Sequence, residues 1–274
     1  IVPGRTSGVA PLSVFFDASG TTASGTSRPF HELDYKWNFG DPNSGVWNYG
    51  SGAGINSRNI AYGPVASHIF DNPGTYTVTL EVSNGVTSSS RSVTITVQDP
   101  NSVFPGTNTI CFSANSTPVA GQGGCPSGAD VKRESDWKII VETYAKAGKR
   151  VLLKRGDIFT SSGKTAFTPN GGPGIIGTYG TGNKPIIRSI GVENGTSFMR
   201  LSGIITDWRV MDLEFDGQGD VHREAITASG NYTVKQLIMY RLNIHDLGGG
   251  IAFPFGASTP AMANQFSVVD SIIE

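Results

Sequence analysis

Apolar and polar positions alternate in short runs over the first hundred residues. Leu12, Val14 and Phe16 alternate with Ser13 and Phe15 before the turn Asp17-Ala18-Ser19-Gly20. A second run, Asp34-Tyr35-Lys36-Trp37-Asn38-Phe39, stops at Gly40-Asp41-Pro42. Ala66 to Phe70 leads into Asp71-Asn72-Pro73-Gly74. Tyr76, Val78, Leu80 and Val82 then alternate with Thr77, Thr79 and Glu81 up to the hairpin signal Asn84-Gly85. Val93, Ile95 and Val97 complete the series before Asp99-Pro100. A period of two puts successive side chains on opposite faces of a strand. Several short strands at this spacing predict a β-sandwich over residues 1–99.

The pattern changes after residue 100. Residues 100–128 are rich in Gly, Ser and Pro and read as a linker. Between Asp130 and Gly148, Trp137, Ile140, Val141, Tyr144 and Ala145 fall on one helical face. That spacing predicts a single amphipathic helix, with Ser135 as N-cap and Gly148 just past its end. From Lys149 onward short β-runs resume between Gly and Asn turns: Val151-Leu152-Leu153, Ile175-Ile176-Gly177, Ile186-Ile187, Phe198-Met199 and Ile204-Ile205. A repeat then appears. Met211 to Asp216 aligns with Tyr240 to His245 and with Val269 to Glu274, two steps of 29 residues (211 to 240 to 269). Ala225-Ile226-Thr227 recurs as Gly250-Ile251-Ala252 after 25 (225 to 250). Two short strands at different points of one repeat predict successive coils of a parallel solenoid, each burying an inward stripe on its neighbour. A jelly roll or second sandwich is the alternative, but a repeat of fixed phase is hard to place in either. The sequence stops inside a strand of the third repeat, so further coils of the same protein are expected beyond Glu274.

Composition narrows the picture. Charged residues are 16% of the chain, against a usual ~25%, and Gly is 36 of 274 residues, nearly twice the usual ~7%. That balance disfavours helix bundles and coiled coils and suits turn-rich β-architecture. Net charge is −1, and neither part of the chain is the basic surface a nucleic-acid partner needs. No apolar run is long enough to span a membrane as a helix. Cys111 and Cys125 flank part of the Gly/Ser/Pro-rich stretch. A disulfide between them would close a loop of about fifteen residues, worth ~3 kcal/mol on loop entropy, and would fit an oxidising compartment. Two thiols are the alternative. No Cys/His spacing suited to zinc is present.

Three segments carry a resemblance: Pro11 to Ser19, Tyr35-Lys36-Trp37-Asn38-Phe39-Gly40-Asp41, and His68 to Val78 with its Asp71-Asn72-Pro73-Gly74 turn. In this order they resemble the PKD family of Ig-like domains. Pro42 stands where that family usually has Gly, and Asn43 to Pro64 is an insertion containing Trp47 and Tyr49. The resemblance implies a secreted or surface protein and a spacer or binding module without catalysis. A second resemblance covers residues 130–274. An amphipathic helix followed by Val151-Leu152-Leu153-Lys154-Arg155-Gly156-Asp157, and Tyr179 to Ile187 further on, are similar to the cap and early coils of right-handed parallel β-helix proteins of the pectate-lyase-like class. The expected fold is therefore all-β: an Ig-like sandwich over 1–99, a linker over 100–128, and a helix-capped, truncated right-handed parallel β-helix over 129–274.

The repeat assigns faces. With Leu213, Phe215, Leu242 and Ile244 inward, three outward columns follow: Asp212–Arg241–Asp270, Glu214–Asn243–Ile272 and Asp216–His245–Glu274. Such columns can be register ladders or a substrate groove. An imidazole between carboxylates is a candidate acid or base near neutral pH, making Asp216, His245 and Arg241 the candidate catalytic set. Asp212, Glu214, Asp220, His222, Arg223, Glu224 and Asn243 form the candidate binding set, with Trp47 and Tyr49 as exposed aromatics on which a sugar could stack. Asp216 and Asp220 are candidate Ca²⁺ ligands. A cation and calcium beside a base would suit uronate β-elimination. No complete lyase or polygalacturonase motif is present. The expected function is a secreted, bacterial-type protein that binds or degrades an extracellular acidic polysaccharide on the β-helix face, as a lyase or hydrolase if catalytic. The alternative is a structural or adhesive surface protein, with the β-helix as a rod.

Overall fold

The computed structural model describes residues 1–47, 57–191, 197–253 and 261–274. The chain forms two compact units, Ile1–Ser102 and Val103–Glu274.

In the first unit two sheets enclose one core. Val2–Pro3, Leu12–Asp17 and Val65–Phe70 pair antiparallel in one. Ser7–Val9, Ser88–Gln98, Gly74–Ser83, Asp34–Asn38 and Ile60–Tyr62 lie in that order in the other. The alternating residues Leu12, Val14, Phe16, Tyr35, Trp37, Val78, Leu80, Ile95 and Val97 meet between them. The segment Trp37 to Asp41 shows why its residues are fixed. Trp37 is fully buried and donates from Nε1 to the Gly63 carbonyl at 2.8 Å. Gly40 has φ +69°, and a Cβ there would lie 2.5 Å from the Thr77 carbonyl oxygen. Asp41 meets His68 Nε2 at 3.0 Å, and both are nearly buried. The His68 ring stacks on Phe39 at 4.4 Å. Burial pushes the His68 pKa below its ordinary value, although Asp41 pulls the other way.

In the second unit thirteen described strands form one sheet, and every pairing among them is parallel. The registers are those of stacked coils. Ile158, Ile186, Glu214, Asn243 and Ile272 succeed one another on one face. Thr109, Arg150, Ile175, Arg209, Ile238 and Ser267 do so on a second. Ala166, Arg200, Thr227 and Ala252 do so on a third. The 29-residue step is real: Met211 pairs with Tyr240, and Tyr240 with Val269. So is the step of 25, which pairs Ile226 with Ile251.

The corners between faces rest on single left-handed residues. Asp207, Gln236 and Gln265 have φ of 57°, 58° and 57°, and Asp212, Arg241 and Asp270 have 61°, 52° and 50°. Each trio is spaced by the repeat. One residue in this conformation redirects a strand without a loop. The interior is packed by Phe159, Ile187, Phe198, Leu213, Phe215, Val234, Leu237, Leu242 and Ile244.

Two expectations change. Residues 100–128 are not simply a linker, because Thr109–Ser113 is fully buried and pairs with Arg150–Leu153 as part of the sheet. The disulfide Cys111–Cys125 forms, with Cα atoms 6.1 Å apart, and it packs with Ala129, Leu152 and Tyr179. The segment 130–148 is not one helix either. Asp130–Arg133 is a strand beside Ile110–Ser113. The helix is one α-turn, Trp137–Ile139, followed by a wider turn, Ile140–Tyr144. Its N-cap is Asp136, which accepts from the Lys138 and Ile139 amides, and not Ser135. The apolar stripe has the role its spacing predicts, since Trp137, Ile140, Val141 and Ala145 enter the coil core. Pairing with the first coil claims the backbone that the longer helix would have used.

Candidate functional site

The face carrying Glu214–Asp216 and its neighbours is built by alternation. Phe159, Ile187, Phe215 and Ile244 point inward and are fully buried. Between them, Arg188, Asp216 and His245 stand in one register on three successive coils. Asp216 is only 4% exposed. Its carboxylate accepts from Arg188 Nε at 3.1 Å, the Gln218 amide at 2.9 Å and Gln218 Nε2 at 2.6 Å. Burial opposes its ionisation, but the Gln218 and Arg188 donors together outweigh burial and hold the pKa below the usual carboxylate value. Gly217 allows the next coil to close over this turn, because a Cβ there would lie 2.2 Å from the Asp246 carbonyl oxygen.

His245 sits between acceptors. Nδ1 is 2.8 Å from Asp246 Oδ2, and Nε2 is 3.3 Å from Glu214 Oε1. The Asp246 hydrogen bond, with those of Glu214 and the charges of Glu214 and Asp216, raises its pKa against a smaller effect of burial. Both ring nitrogens donate in the imidazolium form. Among the described residues, Asp216, His245 and Asp246 form a group able to offer three ligand atoms to one metal ion.

The adjoining corner carries the other column. Arg241 donates to Asp212 from Nε at 2.8 Å and from Nη2 at 2.7 Å, a bidentate pair. Arg155, two coils before Asp212 and three before Arg241, reaches the same carboxylate at 3.3 Å. The guanidinium of Arg241 also lies over the Tyr240 ring at 4.0 Å. Lys184 lies between these groups. Burial lowers its pKa while Asp212 and Glu214 raise it. In the pairs with Asp212 and Asp216 the cations are the accessible partners: Arg155, Arg188 and Arg241 side chains are 24%, 35% and 37% exposed, against 9% for Asp212 and 6% for Asp216, whereas Asp246 beside His245 is 66% exposed.

The structure therefore brings together Asp212, Glu214, Asp216, Arg241, Asn243 and His245. It does not bring in the whole of the following turn. Asp220 is buried and accepts the His222 amide at 3.0 Å, and it is not part of the group formed by Asp216, His245 and Asp246. His222 and Glu224 are exposed. Arg223, expected at the binding surface, is fully buried, donates to Ser161 Oγ, Ser189 Oγ and the Gly163 carbonyl, and lies over Phe198 at 4.2 Å. The reason is two register shifts, between Asp216 and Asp220 and between Asp220 and Glu224, which turn this segment relative to the simple repeat. Trp47 is covered on one side by the Arg58 guanidinium at 4.5 Å. Tyr49 lies outside the described residues. Sequence reasoning missed Arg155, Lys184, Arg188 and Asp246. The step of 28 from Ile158 to Ile186 to Glu214 was the signal that could have placed Arg188.

Residues 1–97 match the PKD domain family. No curated protein and no solved structure matches the chain significantly. The PKD domain together with the disulfide points to an extracellular or cell-surface protein. No helix among the described residues is long and apolar enough to cross a membrane.

Proposed function

We propose that the β-helix unit binds a linear acidic polysaccharide outside the cell, with the PKD domain as an accompanying spacer. One observation carries this reading. At Asp212 and Asp216 the carboxylates are buried beneath, and the guanidinium groups of Arg155, Arg188 and Arg241, which come from three different coils, are left accessible over them. Adjacent strands lie ~4.8 Å apart, so Arg155 and Arg241, three coils apart at one corner, and Arg188 on the adjoining face spread these heads along the coil axis. A polymer carrying a carboxylate on each sugar presents a matching row. Guanidinium groups already aligned by Asp212 and Asp216 lose little freedom when they meet it.

Recognition is favoured over bond cleavage. Asp216 is nearly buried and already accepts three hydrogen bonds, so its carboxylate is not placed to take a proton from a sugar ring. His245 adds positive charge below its raised pKa, so affinity for an acidic polymer falls as pH rises through that value.

The test is affinity electrophoresis against polygalacturonate, alginate and neutral glucans at two salt concentrations. Retardation by the acidic polymers, weaker in high salt and reduced at least about tenfold in an Arg188→Ala/Arg241→Ala variant, is the expected result. Equal retardation of that variant, or none by any acidic polymer, would reject the reading in favour of a rod. Accumulation of an unsaturated uronate product would show that the face cleaves as well as binds.

A further inference from the structure

A second polar surface of the β-helix unit differs from the first in how its charges are arranged. A cleft of about 310 Å³ is lined by Lys164, Ser197, Arg200, Glu224, Thr227 and Ser229 among others. Its origin lies in the coil sequence. Ser197 pairs with Glu224, and Arg200 pairs with Thr227. In the next coil the positions of Glu224 and Thr227 are taken by Gly249 and Ala252. Long side chains on two coils followed by almost none on the third leave a recess walled by charge on one side.

Here the charges are not spent on one another. Arg200 donates from Nε to Ser229 Oγ, which fixes the guanidinium, and its terminal nitrogens have no acceptor among the described residues. Neither the Lys164 ammonium nor the Glu224 carboxylate has a hydrogen-bond or ion-pair partner among the described residues, although all three line the same cleft. By contrast, Arg155, Arg188 and Arg241 each have a carboxylate within reach. A recess near the lower size limit of small-molecule sites, with two cations, one carboxylate and several hydroxyls converging on it, has the make-up of a ligand pocket.

We infer that this cleft is a separate binding site for a small hydroxylated carboxylate of the sugar-acid type. Lys164 and Arg200 take the carboxylate, the latter through its planar fork. Glu224 accepts from ligand hydroxyl groups, and Ser197 and Thr227 supply hydroxyls of their own. With two positive groups and one negative, the cleft keeps a net positive charge, which selects an anion over its neutral counterpart. The inference stands on residues and strands other than those of the polysaccharide face and does not depend on that reading.

Titration calorimetry of the intact chain with D-galacturonate, D-galactose and inorganic sulfate tests it. Saturable binding of galacturonate and none of galactose is expected. Arg200→Gln and Lys164→Ala should each weaken galacturonate at least about tenfold, and the exposed Lys164 site provides a variant whose folding is not at stake. Glu224→Gln should tighten sulfate, because it removes the repelling charge, a gain that a merely structural role would not produce. Arg241→Ala should leave galacturonate affinity unchanged while weakening the polymer, which separates the two sites. Absence of galacturonate binding, or full affinity in Arg200→Gln, overturns the inference. Sulfate binding without galacturonate binding overturns the assignment of a hydroxylated ligand.

Discussion

Replacing Asp212 tests the corner and the ladder at the same position. The carboxylate is 9% exposed and receives three contacts from two arginines. Its backbone is left-handed, with φ +61°. Asp212→Asn preserves the conformation, because Asn tolerates it at least as well as Asp. It removes the charge and leaves a single acceptor oxygen for two guanidinium groups. Hydrogen bonds to charged groups contribute ~1.5–3 kcal/mol, but Arg155 and Arg241 are 24% and 37% exposed and recover much of their solvation. The expected loss is about 1–2 kcal/mol. Asp212→Ala loses the same interactions and also the short polar side chain that eases the left-handed conformation, about 1 kcal/mol more. For a unit of this size each kcal/mol moves the midpoint by roughly 2–4 °C. Scanning calorimetry should therefore lower the β-helix transition by about 2–8 °C in Asp212→Asn and further in Asp212→Ala, with a smaller gap from wild type in high salt. An unshifted Asp212→Asn would refute the ladder. Equal shifts for the two variants would refute the left-handed corner.

Other outcomes follow from the same structure. Removing the disulfide as Cys111→Ala/Cys125→Ala should cost ~3 kcal/mol, since the bridged residues are 14 apart, and limited proteolysis should then cut first between them. Gly40→Ala should destabilise the PKD domain by at least about 2 kcal/mol in urea unfolding, because it combines a left-handed φ with a contact of 2.5 Å to the Thr77 carbonyl oxygen. His68, with its pKa depressed by burial, takes up its proton at lower pH in the folded state than in the unfolded chain, so the unfolded chain binds more protons once pH falls below about 6.5. The His68 contribution to PKD-domain stability should thus be level above that pH, decline as pH falls from there towards the folded-state value and level off below it, with His68→Phe flattening the profile in thermal melts.

Much of this architecture was legible where local pattern and tertiary role agree. The alternation around Trp37 and Val78 defined the sandwich, and the 29-residue step placed Asp212 beside Arg241 and Asp216 beside His245. It failed where backbone pairing overrode a side-chain pattern. The stripe from Trp137 to Ala145 was helical in spacing, yet one α-turn sufficed to bury it. Gln236, Arg241 and Gln265 occupy left-handed corners, although none of them signals such a conformation as Gly or Asn would. Arg223 was misplaced because bulged residues between Asp216 and Glu224 break the phase that the repeat keeps elsewhere. The Lys164–Arg200–Glu224 cleft could not be read at all, since it depends on what three coils lack opposite one another.

Hydroxyl-radical footprinting of the intact chain, with and without saturating polygalacturonate, measures where the polymer lies. Protection centred on the accessible side chains of Ile186, Arg241 and His245, with residues of the PKD domain unchanged, is the predicted result. Protection confined to residues 1–97, or a footprint identical with and without polymer, would contradict it.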